Sequence, residues 1–172
     1  VLKKNINKNN LTNVQIENTA VSNTNGKISF EIHSSITNSR IAKNHKNGIT
    51  IDCVSIDEYF IGNKMKKINF AKIDTEGYDL TVLEGMTKII QLNPDLKIMV
   101  EYHTRLLQEA GIRPKDLLKF LRQQNFKIYD MGGLFDRLEL LEDENLEMFA
   151  KTPNATNLLC MHNETNIKNY QH

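Results

Sequence analysis

Four side chains that could carry acid–base or metal chemistry lie at the ends of two short apolar runs. Asp74 and Glu76 come directly after the first run, and Glu101 closes the second, with His103 two positions further on. Tyr102 separates Glu101 from His103, so in a strand both side chains point to one face. Ligands of open α/β sheets bind where the strands end. If the two runs form neighbouring strands, the four side chains share one crevice.

Carboxylates gathered at a strand end are costly unless they are paired, hydrogen-bonded or bound to a metal. This cost makes the acidic residues candidates for function, although structural roles remain open for each of them. Asp74 or Glu76 could cap the helix that follows, and Gly77 could simply make a tight turn. His103 could be an ordinary hydrogen-bonded histidine, and Lys72 could be a structural ion-pair partner of Asp74.

The spacing of apolar residues predicts an alternation of strands and helices. Residues 68–74 and 96–102 are short apolar runs, typical of strands buried on both faces in parallel sheets. The helix between them has apolar residues at helical spacing and ends before Pro94. Pro114 begins the next helix, and residues 126–131 form the next strand. This order predicts an α/β fold with a Rossmann-like, mostly parallel sheet.

A β-hairpin is predicted ahead of this alternation. Residues 14–21 and 27–33 are rich in β-branched residues, and the segment SNTNG between them contains Asn-Gly, a strong hairpin signal. A further strand is predicted over residues 49–54. Ser55 and Glu58 then fit a capping box that begins a short helix.

The remaining segments are polar, apart from one short strand. Residues 34–48 are predicted to be a loop, and residues 142–156 are acidic and then loop-like. A last strand is predicted over residues 157–162, followed by a frayed polar tail at 163–172. We therefore assign residues 1–162 to one domain.

Composition excludes several classes of function. The chain has 172 residues and a net charge of +1, with no basic stripe carrying interleaved aromatic residues, so nucleic-acid binding is not indicated. No apolar run approaches the length of a membrane span, and no signal peptide is visible, which favours a cytoplasmic protein. Cys53 and Cys160 lie far apart and lack metal-site spacing, so they are predicted to be buried, reduced thiols.

Three segments taken together resemble the FkbM methyltransferase family, over about residues 5–130. They are VSIDEYF, INFAKIDTEGYDLTVLEGM and DLKIMVEYH. The family's Lys-Ile-Asp-x-Glu-Gly signature is matched by residues 72–77, its Leu-x-Gly by residues 83–85, and its strand-ending Glu by Glu101. The resemblance implies a class I methyltransferase sheet and S-adenosylmethionine as cofactor. It also implies methyl transfer to a hydroxyl of a sugar or natural product, that is, a small-molecule or glycan acceptor.

The resemblance also implies roles for the candidate residues. Asp74, Glu76, Glu101 and His103 are the candidate catalytic residues. Asp74 is expected beside the methyl donor, and Glu101 or His103 beside the acceptor, where a base takes the hydroxyl proton. A divalent metal bridging the carboxylates is compatible with this assignment and not required by it.

The cofactor assignment is incomplete within this chain. Asn18, Thr19 and Ala20 are expected to lie against the adenine, and Asp74 to contact the methyl-donor region of the cofactor. The family's glycine-rich cofactor loop and its ribose-binding acidic residue are not found, so both are expected upstream of Val1. This predicts an N-terminally truncated domain that binds S-adenosylmethionine weakly or not at all by itself. Without the missing strands, an open sheet edge is expected to favour self-association.

Two other functions remain open from the residues alone. In a metal-dependent hydrolase or phosphotransfer domain, Asp74, Glu76 and Glu101 would hold Mg²⁺ through oxygen ligands. Stabilisation by Mg²⁺ but not by S-adenosylhomocysteine would indicate that reading. A non-catalytic binding module would keep the fold without the cofactor loop, and the upstream sequence would decide the matter.

Overall fold

The computed structural model describes residues 1–31, 40–41, 49–64, 67–132 and 138–162. Its strands are β1 Ala20–Val21, β2 Gly26–Glu31, β3 Arg40–Ile41, β4 Ile49–Val54, β5 Phe70–Ile73, β6 Lys97–His103, β7 Lys127–Asp130, β8 Glu139–Leu140 and β9 Ala155–Met161. Its helices are α1 Leu2–Lys8, α2 Ile56–Gly62, α3 Asp79–Glu84, α4 Thr87–Leu92, α5 Thr104–Ala110, α6 Pro114–Gln123 and α7 Asp143–Lys151. The α/β class predicted from the sequence is confirmed.

The first sheet has the strand order β1-β4-β2-β3, and the predicted hairpin is wrong. β4 lies between β1 and β2, parallel to the first and antiparallel to the second. The turn residues bind the end of β4 instead of closing a hairpin. Ser22 N donates to the Val54 carbonyl (3.0 Å), and the Asn25 side chain accepts from Ser55 N (2.9 Å). Most of the loop predicted over residues 34–48 lies outside the described residues.

The second sheet has the order β5-β6-β9-β7-β8 and is mixed. β5 and β6 are parallel, whereas β9 runs antiparallel to both of its neighbours, β6 and β7. The mostly parallel sheet predicted from the sequence is therefore not confirmed. An apolar run indicates that a strand is buried, but it carries no information about the direction of the neighbouring strand.

One edge of the second sheet is open in the described part of the chain. β5 lies at the end of the strand order and pairs with β6. Phe70 is 50% exposed and Lys72 is exposed, so the prediction that this strand is buried on both faces is wrong. An apolar edge strand is a surface on which another chain can pair.

We expect this edge to cause self-association. Phe70→Lys should reduce the sedimentation-average mass at high protein concentration, because a lysine on an edge strand opposes edge-to-edge pairing. Leu92→Lys is the matched control, since Leu92 is similarly exposed (54%) but ends α4 and does not lie on a strand. Equal masses for the wild type and the Phe70 variant at every concentration would contradict the expectation.

The hydrophobic core lies against one face of the second sheet. β6 alternates strictly, with Ile98, Val100 and Tyr102 fully buried and Met99, Glu101 and His103 half-buried on the opposite face. The buried set packs against apolar side chains of α3, α4, α5 and α6, which are Leu80, Val82, Leu83, Ile90, Leu107, Leu117, Leu118 and Leu121. One face of β6 therefore packs in the core, and the opposite face carries the polar side chains of Glu101 and His103.

The helix predicted after Gly77 is two short helices, α3 and α4, although its buried face is confirmed. The break comes at Gly85, whose carbonyl accepts from Asp57 N (2.8 Å). The buried Asp57 carboxylate then accepts from Lys88 N (3.0 Å) and Ile89 N (2.8 Å) at the start of α4. A side chain of α2 thus satisfies the free N–H groups that a new helix leaves.

Two helices were not predicted, α5 and α7. The loop predicted over residues 142–156 is wrong for most of its length, because α7 occupies residues 143–151. Leu146, Phe149 and Ala150 form a partly buried stripe on the core, and the Phe149 ring lies 5.3 Å from the Tyr102 ring. The many charged residues of this segment hide the short apolar stripe in the sequence.

The strand predicted over residues 14–21 is confirmed only at Ala20–Val21, and the remaining predicted elements agree with the structure. Ser55 caps α2 through Glu58 N (3.2 Å), Pro114 begins α6, and strands lie where residues 126–131 and 157–162 predict them. The domain boundary at residue 162 stays a prediction, since residues 163–172 are outside the described ranges. No described helix has the length and apolar character needed to cross a membrane.

Candidate active site

A sharp turn follows β5 and carries two of the predicted site residues. We call residues 74–78 the acidic turn. Glu76 has φ +53° and Gly77 has φ +95°, so the backbone is left-handed at two successive positions. A Cβ atom at Gly77 would overlap the carbonyl group of Leu106, which shows how closely the turn packs against α5. This local conformation holds the Asp74 and Glu76 carboxylates at the end of β5.

A buried carboxylate behind the acidic turn was missed in the sequence. Asp79 accepts hydrogen bonds from Thr75 N (3.0 Å), Thr75 Oγ1 (3.1 Å) and Gly77 N (3.2 Å). Burial raises the pKa of Asp79, and these three donors oppose the rise. The signal in the sequence is an aspartate two residues after a turn glycine, which reads as an ordinary first-turn acid of α3.

Glu101 is the most strongly perturbed carboxyl group at this edge of the sheet. Burial, followed by the negative charges of Asp74, Asp79 and Glu76, raises the pKa of Glu101 to about 7, and only Lys72 opposes the rise. Its Oε2 atom is buried and lacks a hydrogen-bond partner within the described part of the chain. A carboxylate of this kind can accept a proton near neutral pH.

Lys72 connects β5 to the acidic turn and to β9 on one face of the sheet. Its Nζ donates to Asp74 Oδ2 (2.9 Å) and to Asn157 Oδ1 (3.1 Å). Asn157 is the β9 partner of Glu101, so the lysine side chain reaches across β6 to β9. The ion pair with Asp74 is confirmed, whereas the role of Asn157 was missed because the sequence does not reveal which strand lies beside β6.

His103 occupies the next position on the same face of β6, roughly 7 Å beyond Glu101 at the usual rise of a strand. It also begins α5 as the N-cap residue. Its Nδ1 atom is buried without a partner among the described residues. The structure thus brings Asp74, Glu76 and Glu101 into one electrostatic cluster and places His103 beside it. Their catalytic roles stay predictions.

The three residues predicted to lie against the adenine precede and open β1. Asn18 is exposed, Thr19 Oγ1 donates to the Asp52 carbonyl (2.9 Å), and Ala20 pairs with Cys53 of β4. The Thr19 hydroxyl therefore holds two segments of the first sheet together. Only the next residue, Val21, reaches the groove described below, and cofactor contact by the three stays a prediction.

An apolar groove of about 320 Å³ runs along the outer edge of β5 and ends at the acidic turn. We call it the β5 groove. Its walls come from β1, α2, β5, α3 and the residues between α3 and α4, and its polar lining residues are Lys72, Asp74 and Thr75. The apolar lining consists of Val21, Ile56, Phe60, Ile68, Phe70, Ala71, Ile73, Val82 and Met86. It offers a flat apolar ligand group a cradle with a carboxylate at one end.

Metal binding by the acidic residues is not favoured by their arrangement. Across residues 1–31, 40–41, 49–64, 67–132 and 138–162, no three His, Cys, Asp or Glu side chains are grouped so that they could hold a metal ion. Asp74 is held by Lys72 instead. The hydrolase alternative needs Asp74, Glu76 and Glu101 as common ligands, and the structure does not group them in that way.

Comparison with known proteins agrees with the family resemblance found in the sequence motifs. The family described as "Methyltransferase FkbM domain" matches residues 2–128. The hexuronic acid methyltransferase AglP of Haloferax volcanii is 35% identical over 104 residues, which are 60% of this chain and 40% of that protein. The chain thus spans less than half the length of this relative. No solved structure matches the chain. Since the family's domain covers most of its 172 residues, the chain belongs to the FkbM methyltransferase domain family.

Proposed function

We propose that this protein methylates a hydroxyl oxygen of a sugar or related small molecule, using S-adenosylmethionine, with Glu101 as the base that takes the hydroxyl proton. The observation that carries the proposal is the half-buried Glu101 carboxylate with an unpartnered Oε2 and a pKa raised to about 7. Family membership supports the reaction class.

The chemistry asks little of the protein beyond position and one proton acceptor. The bound cofactor supplies an electrophilic methyl group on a positively charged sulfur. Transfer of that methyl group to the acceptor oxygen would break the carbon–sulfur bond and leave the sulfur as a neutral thioether. The hydroxyl proton passes to Glu101 Oε2. An alcohol holds its proton tightly, so a carboxylate poised near neutral pH increases the rate at which the oxygen attacks.

Glu101 is preferred over His103 because of its position. Its β9 partner, Asn157, and the turn residue Asp74 are both bound by Lys72, so Glu101 lies between two anchored side chains. His103 lies two residues further along β6, where α5 begins. A base must lie within hydrogen-bond reach of the proton that it removes, and the centre of the cluster suits that need.

The β5 groove is the proposed place for the cofactor. Its apolar walls suit the faces of an adenine ring, and its polar end presents the Asp74 carboxylate, which is ion-paired with Lys72. Val21 brings β1 to this groove, which supports the assignment of Asn18, Thr19 and Ala20 to the adenine side. Asp74 thus stands between the cofactor groove and Glu101, on whose pKa it acts.

A sugar acceptor is favoured by the relative, whose printed name identifies it as a hexuronic acid methyltransferase. A uronic acid offers two kinds of oxygen, a hydroxyl and a carboxylate. A carboxylate is already ionised near neutral pH and needs no base. The poised Glu101 therefore favours a hydroxyl as the acceptor.

The test uses full-length protein, S-adenosylmethionine with a labelled methyl group, and a panel of neutral sugars and uronic acids. We expect label in a product that survives mild alkali, because a methyl ether is stable to base and a methyl ester is not. Alkali-labile label would overturn the assignment to a hydroxyl and the role of Glu101. Absence of transfer to every acceptor, with no binding of S-adenosylhomocysteine, would argue against the reaction itself.

A further inference from the structure

Asp79 is the least exposed polar or charged side chain of the described residues, at 1%. Its two carboxylate oxygens accept from two backbone N–H groups and one hydroxyl, all within the acidic turn. Asp79 is therefore buried beneath the acidic turn. No role in the β5 groove or on the acceptor side has been assigned to it. The donors to its carboxylate belong to Thr75 and Gly77.

The acidic turn requires such support because its backbone is unfavourable. A residue with a Cβ atom is disfavoured in the left-handed region, and Glu76 adopts it at φ +53°. Gly77 follows in the same region and packs against the backbone of Leu106. The Asp79 hydrogen bonds hold the residues on either side of Glu76, so they act at the point where the turn would otherwise relax.

We propose that Asp79 is a positioning residue, which fixes the acidic turn against α5 and so determines where the Asp74 and Glu76 carboxylates stand beside Glu101. The proposal rests on the proposed function, in which Glu101 is the base and Asp74 faces the cofactor. An aspartate that merely began α3 would act on Glu101 through its charge alone and would not fix the acidic turn.

A pH titration of the Glu101 carboxyl group reports on the charged and polar groups that face it. Charged groups come from β5 (Lys72), from the acidic turn (Asp74 and Glu76) and from α3 (Asp79), while β9 presents the neutral Asn157 and β6 itself carries His103. A change in the acidic turn moves Asp74 and Glu76 relative to Glu101. The titration midpoint of Glu101 therefore measures whether the turn is held in place.

The experiment follows the Glu101 carboxyl carbon by NMR in protein labelled at the glutamate side chains, with Glu101→Gln to identify its signal. Asp79→Asn removes a charge and one acceptor oxygen, and Asp79→Glu keeps the charge but displaces the carboxylate by one methylene group. We expect the Glu101 midpoint to fall below the wild-type value in both variants, because the acidic turn loosens in both. Faster amide hydrogen exchange at Gly77 should accompany the fall.

Other outcomes separate the explanations. A fall in Asp79→Asn alone would reduce Asp79 to a nearby charge, and an unchanged midpoint in both folded variants would remove the positioning role. Thr75→Val is a milder variant that deletes one hydroxyl donor, and a smaller fall is expected there even if the Asp79 variants fail to fold. Asp116→Asn is the matched control, since Asp116 pairs with Arg113 on α6 and should leave the midpoint unchanged.

The titration needs no substrate, so the two proposals fail independently. A shifted midpoint in a protein that transfers no methyl group would keep the positioning role of Asp79 and reject the proposed reaction. Methyl transfer by a protein whose Glu101 midpoint ignores both Asp79 variants would do the reverse.

Discussion

Replacement of Glu101 by Gln is expected to lower the rate of methyl transfer by roughly 10²- to 10⁴-fold, the usual contribution of a general base. Gln has nearly the same shape as Glu but cannot accept the hydroxyl proton. The affinity for S-adenosylhomocysteine should change little, because Glu101 is assigned to the acceptor side. The measurement is kcat of the full-length variant, with cofactor affinity determined separately by calorimetry.

The pH dependence gives a second measure of the same group. The wild-type rate should rise with pH through about 7, as Glu101 loses its proton and becomes able to act as a base. This rise should be absent in Glu101→Gln and retained in Glu144→Gln, a control on the exposed start of α7. Full activity of Glu101→Gln combined with loss of activity in His103→Asn would instead assign the base to His103.

The free energy of unfolding should change with pH in the opposite direction to the rate of methyl transfer. The pKa of Glu101 in the folded protein, about 7, lies above the ordinary value of 4.5. Between these values the folded state binds more protons than the unfolded state, so the free energy of unfolding falls as pH rises through this window. Glu101→Gln should flatten this part of the stability curve. A variant that is slower in catalysis and less sensitive to pH in stability would show both consequences of one buried carboxylate.

Gly77→Ala is expected to lower the free energy of unfolding by about 3–5 kcal/mol, a large effect for one methyl group. Two causes add at this position. The φ of +95° is unfavourable for alanine, and the new Cβ atom would overlap the backbone carbonyl of Leu106. Neither the acidic turn nor α5 can move away without disturbing the hydrogen bonds of Asp79. Urea denaturation followed by circular dichroism measures the change.

Two other glycines separate these causes. Gly111 has a similar φ of +86° with open space around its Cβ position, so Gly111→Ala should cost only about 1–2 kcal/mol. Gly62 ends α2 with no atom near its Cβ position and an ordinary φ, so Gly62→Ala should change stability by less than about 1 kcal/mol. Equal losses in Gly77→Ala and Gly111→Ala would mean that the contact with Leu106 is not a close one.

Much of the local structure could be predicted because it depends on local rules. The common face of Glu101 and His103 on β6, the Ser55 cap and the proline at the start of α6 each depend on residues a few positions apart. Strand pairing could not be predicted in the same way. β4 lies between β1 and β2, and β9 between β6 and β7, because of contacts between residues far apart in the chain. No local pattern records them.

The residues of the candidate site also fall into two groups, those that could be predicted from the sequence and those that could not. Asp74, Glu76 and Glu101 could be found from their positions at strand ends, and their mutual electrostatic influence agrees with that reasoning. Asp79 and Asn157 could not be found. The first acts through a turn conformation that depends on α5, and the second through a strand that arrives more than fifty residues after Glu101.

The position of β9 also bears on when the site forms during protein synthesis. A nascent chain that has not yet reached residue 155 contains β5, β6 and β7, but the last of these has no β9 partner that joins it to β6. Pairing between distant segments is slow and leaves apolar edges exposed until it is complete. The Lys72–Asn157 hydrogen bond and the environment of Glu101 therefore mature only after almost the whole described chain has left the ribosome. Truncated translation products would carry every acidic residue of the site and lack its arrangement.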